Sequence, residues 1–212
     1  MPARDPHVAM APASAIQARR LTAPLFVDGF LKPRTCARML AELDHAFWQP
    51  STVVNRTADG DVVARRSAMR ISQSAKETLF PPAAGRIAVQ TRERVGRMLR
   101  VSASRFEEWQ AVRYRCGGKF DYHLDAGLWS SEPAGERVWT VMVYLDTPLA
   151  GGATTFKELG LEVQAIAGRL LIWKNLLSDG TPNPWMLHRG APVRRGRKTI
   201  LVTWIRERAA RP

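Results

Sequence analysis

From about residue 107 onward the chain breaks into short apolar runs: "WQAVRYR", "KFDYHLD", "RVWTVMVYLD", "ATTFKE", "LEVQAI", "RLLIWKN" and "RKTILVTWI". Gly, Pro and Asp turns separate them, so each reads as a short strand. Many short strands at close spacing predict a barrel or sandwich, mainly β, with helices packed outside. Ahead of residue 107 the period changes. "APLFVDGFL" reads as a short strand and turn, and a helix is expected to begin near Pro33-Arg34-Thr35, because proline is tolerated in a first turn. Ala37, Leu40, Ala41, Phe47 and Trp48 follow at helical spacing. "NRTADGDVV" carries an Asp-Gly hairpin or loop signal, and "ARRSAMRIS" reads as extended. A second helix is expected over about 81–99, with Ala84, Ile87, Ala88, Val95, Met98 and Leu99 on its apolar side.

The 212 residues suffice for one well-cored domain. Residues 1–20, rich in Ala, Pro and Arg and without periodicity, are expected to be a mobile tail. The domain then spans 21–208, with a strand-and-helix layer over about 21–105 and a barrel core over about 106–208. No run approaches the roughly 18 apolar residues that cross a membrane, and the N-terminus lacks a continuous apolar signal region. Cys36 and Cys116, alone and far apart, offer neither a thiolate zinc site nor a disulfide framework, and suit a reducing cytoplasm. The net charge of +13 invites a nucleic-acid reading. The basic residues, however, recur along the whole chain rather than in one block. That pattern favours a solvated arginine-rich surface over an acidic partner.

Candidate chemistry starts at His123 and Asp125. In an extended chain, residues two apart face the same side. An isolated His-x-Asp also fits a hydrogen-bonded pair at a strand end, so the other histidines decide its weight. His7 lies in the tail and His45 on the first expected helix, while His188 stands in "WMLHRGAPV", which is expected to lead directly into the last strand. Two imidazoles and one carboxylate make a facial metal site that suits Fe(II) and leaves positions open. Lys198, at the head of an apolar strand, could point into a barrel and would then need an anion. Tyr114 and Thr154 could supply hydroxyl donors to the same anion. Each of the three also reads as ordinary strand packing, and Gly151-Gly152 as a plain turn.

The ordered segments "YRCGGKFDYHLD", "RVWTVMVYLD", "GGATTF" and "GRLLIWKNLLSDGTPNPWMLHRGAPVRRGRKTILVTWI" closely resemble the prolyl 4-hydroxylase-like Fe(II)/2-oxoglutarate dioxygenases. The resemblance is tight over about 107–206, and "LFVDGFLKPRTCARMLAELD" is similar to that family's entry strand and first helix. It implies a double-stranded β-helix, a jelly-roll, cupin-like barrel. His123, Asp125 and His188 become the metal ligands and catalytic centre. Lys198 becomes the ion-pair partner of the distal carboxylate of 2-oxoglutarate, with Tyr114 and Thr154 as hydrogen-bond donors to it. Arg137 matches a substrate-contacting arginine, with a structural arginine as the rival reading, and Trp204 matches a packing tryptophan near the cofactor.

The implied reaction couples decarboxylation of 2-oxoglutarate to hydroxylation of a C–H bond. It consumes O2 and yields succinate and CO2, with ascorbate as an accessory reductant. The substrate is a peptidyl proline, a free amino acid or a natural-product intermediate. Ala153 stands where the family often has an acidic residue after its paired glycines, and "AGLWSSEPAGE" is short. Arg206, two residues after Trp204, stands where peptide-hydroxylating relatives carry a histidine. All three departures leave the metal site intact and bear on the substrate. The alternatives are a nucleic-acid demethylating dioxygenase, a non-catalytic metal-binding barrel and a zinc hydrolase. The first is disfavoured by a lysine at position 198 where an arginine is expected, and the last by the lack of a general base. Oligomeric state stays open.

Overall fold

The computed structural model describes residues 23–57 and 59–211. The expected mobile tail, residues 1–20, lies outside the described residues. In chain order the strands begin with β1 (Leu25–Val27), β2 (Gln49–Pro50), β3 (Val53–Arg56), β4 (Val62–Arg65), β5 (Arg70–Ile71), β6 (Gln73–Lys76), β7 (Gln110–Tyr114) and β8 (Lys119–His123). They continue with β9 (Arg137–Tyr144), β10 (Ala150–Gly151), β11 (Thr154–Phe156), β12 (Leu161–Val163), β13 (Leu170–Lys174), β14 (His188–Gly190), β15 (Val193–Arg195) and β16 (Lys198–Arg206). Two helices, α1 (Pro33–Leu43) and α2 (Pro82–Leu99), each start on a proline, whose fixed φ and missing N–H cost nothing in a first turn.

The strands assemble into a larger sheet, β1-β13-β9-β16-β7-β6-β2, and a smaller one, β12-β11-β14-β8-β5. Two ribbons, β3 with β4 and β10 with β15, complete the set. This is the mainly β, helix-flanked barrel that the strand pattern predicts. Strands β1, β2, β5 and β6, all ahead of residue 105, extend both main sheets.

Alternation along the central strands decides which side chain goes where. On β9, Val141, Val143 and the following Leu145 turn toward the helices and pack with Met39 and Leu43 of α1 and Ala84, Ala88 and Val95 of α2. Met142 and Tyr144 turn the opposite way, into the barrel, beside Val112, Phe156, Trp173 and Ile200. Both faces of the larger sheet are therefore buried, which is why β13 and β16 read as nearly continuous apolar runs rather than as alternating ones.

The first helix departs from the expected face. It ends at Leu43, and its buried residues are Cys36, Met39 and Leu43, while Ala37 and Ala41 are exposed. Phe47 is exposed and lies outside the helix. Trp48 is half-buried, donating Nε1–H to Leu43 O at 2.8 Å. The spacing pattern ran past a helix whose end shows no proline or glycine signal. His45 falls in the turn after α1, not on it. On α2 the apolar side is as expected except for Met98, which is exposed. "ARRSAMRIS" is extended only at its ends, in β4 and β5, with a turn between. His188 does not lead directly into the last strand: β14 and β15 intervene as separate short strands.

Candidate metal centre and the cleft around it

Strand register brings the two histidines together. β14 runs antiparallel to β8 with His188 directly opposite His123, and β11 flanks β14 on its other side with Phe156 opposite His188. Asp125 follows β8 in a bend. Its carboxylate lies 3.7 Å from each imidazole, Oδ1 from His123 Nε2 and Oδ2 from His188 Nε2. The candidate ligand atoms of the three residues all fall within 4.8 Å of one another.

Each imidazole is oriented from behind. His123 Nδ1 hydrogen-bonds to Asp121 O at 2.8 Å and His188 Nδ1 to Met186 O at 2.9 Å. A carbonyl can only accept, so Nδ1 carries a proton, and each Nε2 faces Asp125 as the candidate ligand atom. Phe120 stacks on His123 with ring centroids 3.6 Å apart, and Trp173 meets His188 edge-on at 4.7 Å. Burial, reinforced by the neighbouring His188, pushes the His123 pKa down to about 3, so its ring is neutral. Burial opposes ionisation of Asp125, yet the two histidines and a hydrogen bond from Thr140 hold its carboxyl below the usual range. Two imidazole nitrogens and an ionised carboxylate suit a divalent first-row metal such as Fe(II).

Lys198 heads β16 and pairs across the sheet with Tyr114, the last residue of β7. It is 2% exposed, with Nζ 5.1 Å from the Tyr114 ring and 5.6 Å from the Tyr144 ring. No carboxylate among the described residues lies within ion-pair distance of it. Burial consequently lowers its pKa to about 7. Thr154 sits opposite Gly190 on the neighbouring sheet, and its Oγ1 accepts the Tyr144 phenol at 2.7 Å, which leaves the threonine proton to donate. Gly190 lies beside the lysine tip, where a β-carbon would be in ordinary contact with Nζ at 3.6 Å. Gly152, at φ +77°, lies over the lysine stem, where a β-carbon would come within 3.4 Å of Cδ. At Gly151 a β-carbon would collide with Pro192 O, so the paired glycines also allow a close backbone approach that no other residue fits.

One cavity collects these groups: His123, Asp125, His188, Lys198, Tyr114 and Thr154 all line it, as do Trp173 and Trp204. Trp173 Nε1 and Trp204 Nε1 are buried donors without a partner among the described residues. Arg137 stands outside, on an adjoining cleft that shares Arg70, Phe120, His123, Asp125 and Trp204 with the cavity. Its guanidinium lies between the rings of Trp204, at 3.6 Å, and Trp129, at 4.2 Å. Both of its forks go to Glu107, at 2.7 Å each.

Several residues of the site escaped the sequence reading. Thr140 donates to Asp125, and Asn175 donates to Thr140. Tyr144 orients Thr154, and Arg70 reaches in from β5, contacting the Tyr114 hydroxyl together with Ser72. Thr140 interrupting an apolar strand was a legible signal. Arg70 was not, because its place depends on how β5 joins β8.

The 2OG-Fe(II) oxygenase superfamily model matches residues 109–206, and the phytanoyl-CoA dioxygenase model matches 25–156. Prolyl 4-hydroxylase subunit alpha-3 of Homo sapiens is 38% identical over 106 residues, covering 48% of this chain and 20% of that protein. Prolyl 4-hydroxylase subunit alpha-1 of Bos taurus is 32% identical over 147 residues, covering 66% and 27%. The chain thus spans only a fifth to about a quarter of the length of these relatives. Among solved structures, the viral collagen prolyl hydroxylase of Paramecium Bursaria Chlorella virus-1, as its 2OG complex, superposes with TM-score 0.65 at 23% identity, covering 86% of this chain and 95% of that one. A Pseudomonas putida prolyl-4-hydroxylase superposes with TM-score 0.57 at 19% identity, covering 93% and 99%. These likenesses give the fold as the double-stranded β-helix. With the family models spanning most of the described residues, the chain belongs to the 2OG-Fe(II) oxygenases.

Proposed function

We propose that the protein is an Fe(II)- and 2-oxoglutarate-dependent hydroxylase whose substrate is a prolyl residue in a peptide or protein. The observation that carries this reading is one cavity holding both a two-histidine, one-carboxylate cluster and a buried lysine without a carboxylate partner. When bound, iron, 2-oxoglutarate and O2 supply the oxidising power, releasing succinate and CO2 and inserting one oxygen atom into a C–H bond.

The chain's own residues hold and shield these groups. His123 and His188 offer Nε2 lone pairs and Asp125 its carboxylate to the metal. Lys198 supplies the counter-charge for the distal carboxylate of 2-oxoglutarate, with Thr154 and Tyr114 beside it as hydroxyl donors. Val112, Met142, Ile200 and Trp173 keep water from the cavity.

The peptide reading rests on the adjoining cleft. It is walled by Gln49–Val54 on one side and Leu124, Leu128 and Trp129 on the other. It shares Lys76, Gln110 and Trp129 with one further depression and Pro50, Ser51 and Arg70 with another. A cleft that adjoins the candidate ligands His123 and Asp125 and joins two further depressions suits an extended chain better than a free amino acid. Arg137, with its charge engaged by Glu107, would present an aromatic–guanidinium wall rather than a free cation. Anaerobic addition of Fe(II) and then 2-oxoglutarate is expected to produce the weak visible charge-transfer band of the chelate. On admitting O2 with a proline-rich peptide, the band is lost and the peptide gains one oxygen atom. Fe(II) binding without the band, or turnover with free proline but no peptide, overturns the assignment.

A further inference from the structure

Behind Asp125 stand two neutral, deeply buried side chains. Thr140 Oγ1 donates to Asp125 Oδ2 at 2.7 Å, and Asn175 Nδ2 donates to the same Thr140 oxygen at 2.9 Å. Thr140 is 1% exposed and Asn175 3%. A hydroxyl has one proton to give. Asn175 Oδ1 is farther from Thr140 Oγ1, at 3.2 Å, and uncharged, so the proton goes to the carboxylate. The direction of the chain is therefore fixed from its far end: amide, to hydroxyl, to carboxylate.

The same asparagine also reaches the second histidine. Its backbone N–H donates to Val138 O at 2.8 Å, and its carbonyl accepts from Asn183 N–H at 2.7 Å. Asn183 Oδ1 in turn accepts from Trp185 N–H at 3.2 Å and caps the short turn Pro184–Met186. That turn delivers the Met186 carbonyl on which His188 Nδ1 rests. One residue at the end of β13 thus stands at the root of both the Asp125 and the His188 orientations.

We propose that Asn175 is a positioning residue of the metal centre, setting the Thr140 hydroxyl as a donor so that the Asp125 carboxylate keeps one orientation between His123 and His188. The inference rests on the metal-binding reading given above and adds to it a residue that touches neither metal nor substrate. Partners that orient a ligand in this way commonly change metal affinity 10–100-fold when lost.

The test is Mn(II) binding to the full chain by calorimetry, together with the Mn(II) electron paramagnetic resonance line shape, neither of which needs turnover. The unaltered protein should bind one Mn(II). Thr140→Val keeps the volume and removes the hydroxyl. Asn175→Asp keeps the shape and turns the donor into an acceptor, which draws the Thr140 proton away from Asp125. Each is expected to weaken Mn(II) binding by about 10–100-fold and broaden the line shape, while Thr140→Ser restores affinity to near that of the parent.

Melting of the metal-free variants separates this from loss of fold. Should Asn175→Asp fail to fold, Asn175→Ala, which removes the amide donor, takes its place beside the Thr140 pair. Parent-like affinity in a folded Asn175 variant or in Thr140→Val overturns the inference, as does a Thr140→Ser no better than Thr140→Val. Failure of the unaltered protein to bind Mn(II) would instead overturn the metal-binding reading itself.

Discussion

The cavity behind the histidines and the cleft in front of them are built by different rules. The cavity is walled by regular strands of two sheets, and its polar groups are oriented: His123 and His188 by carbonyls, Asp125 by Thr140, Thr154 by Tyr144. Lys198 is the exception, buried without a carboxylate beside it. The cleft is walled by short ribbons and loops, β2, β3 and the 124–129 segment, and Arg137 there already has its partner in Glu107. The difference separates a preorganised site with one charge left to satisfy from a half-exposed surface whose contacts are adjustable. Changes in the first should act on metal and co-substrate, and changes in the second on the peptide alone.

The largest effect should come from the carboxylate. Asp125→Ala is expected to lower succinate formation roughly 10³-fold or more, equivalent to about 4 kcal/mol in barrier, while the fold survives. Undiminished succinate release would break the comparison at its root, because the cavity would then not be the reacting centre.

Next comes Lys198. Lys198→Met keeps an apolar stem and removes the charge, and should raise the 2-oxoglutarate requirement about 100-fold, as expected when a buried charge loses its counter-charge. An unchanged requirement would mean another cation, with Arg70 the candidate that lines the same cavity, holds the co-substrate.

The same lysine predicts a pH dependence. Its pKa of about 7 in the folded chain lies below the ordinary 10.5 because of burial. Between those values the unfolded chain binds the extra proton, so this group's contribution to metal-free stability rises with pH across that window. The co-substrate works in the opposite sense. A carboxylate needs the charged lysine, so above pH 7 binding must take up a proton, and affinity should fall by up to about tenfold per pH unit. Calorimetry in buffers of different ionisation enthalpy measures that uptake, and its absence at pH 8.5 would mean that the lysine is already paired.

The contrast between cavity and cleft also explains what could be read from the residues. His123, Asp125, His188, Lys198, Tyr114 and Thr154 lie on or next to barrel strands whose period-2 pattern is strong, so their convergence on one cavity follows from register. Thr140, a polar residue inside apolar β9, could be noticed, yet its purpose, like that of Asn175 just past β13, shows only when its partner is in place. The β2 and β5 strands are two residues long, below the length at which a pattern exists, so Arg70 and the cleft wall were not legible. The end of α1 was missed for a related reason: Phe47 and Trp48 continued the helical spacing after the helix had stopped.

The smallest effect should come from Arg56, at the end of β3. Its Nη1 donates to Gly60 O within its own hairpin at 2.7 Å, and its Nη2 donates across to Leu128 O at 2.8 Å. The second contact ties the hairpin that carries Val53 and Val54 to the loop that carries Leu128 and Trp129, so it sets the separation of the two cleft walls. Both bonds are exposed, and a hydrogen bond of this kind is worth about 0.5–1.5 kcal/mol net. Arg56→Ala should therefore raise the KM for a peptide by about 2–10-fold and leave kcat and the 2-oxoglutarate requirement unchanged. Steady-state kinetics with each substrate varied in turn reads the split directly. A parallel rise in the 2-oxoglutarate requirement would show that the cleft walls and the cavity move together, and the division between a fixed centre and an adjustable rim would no longer hold.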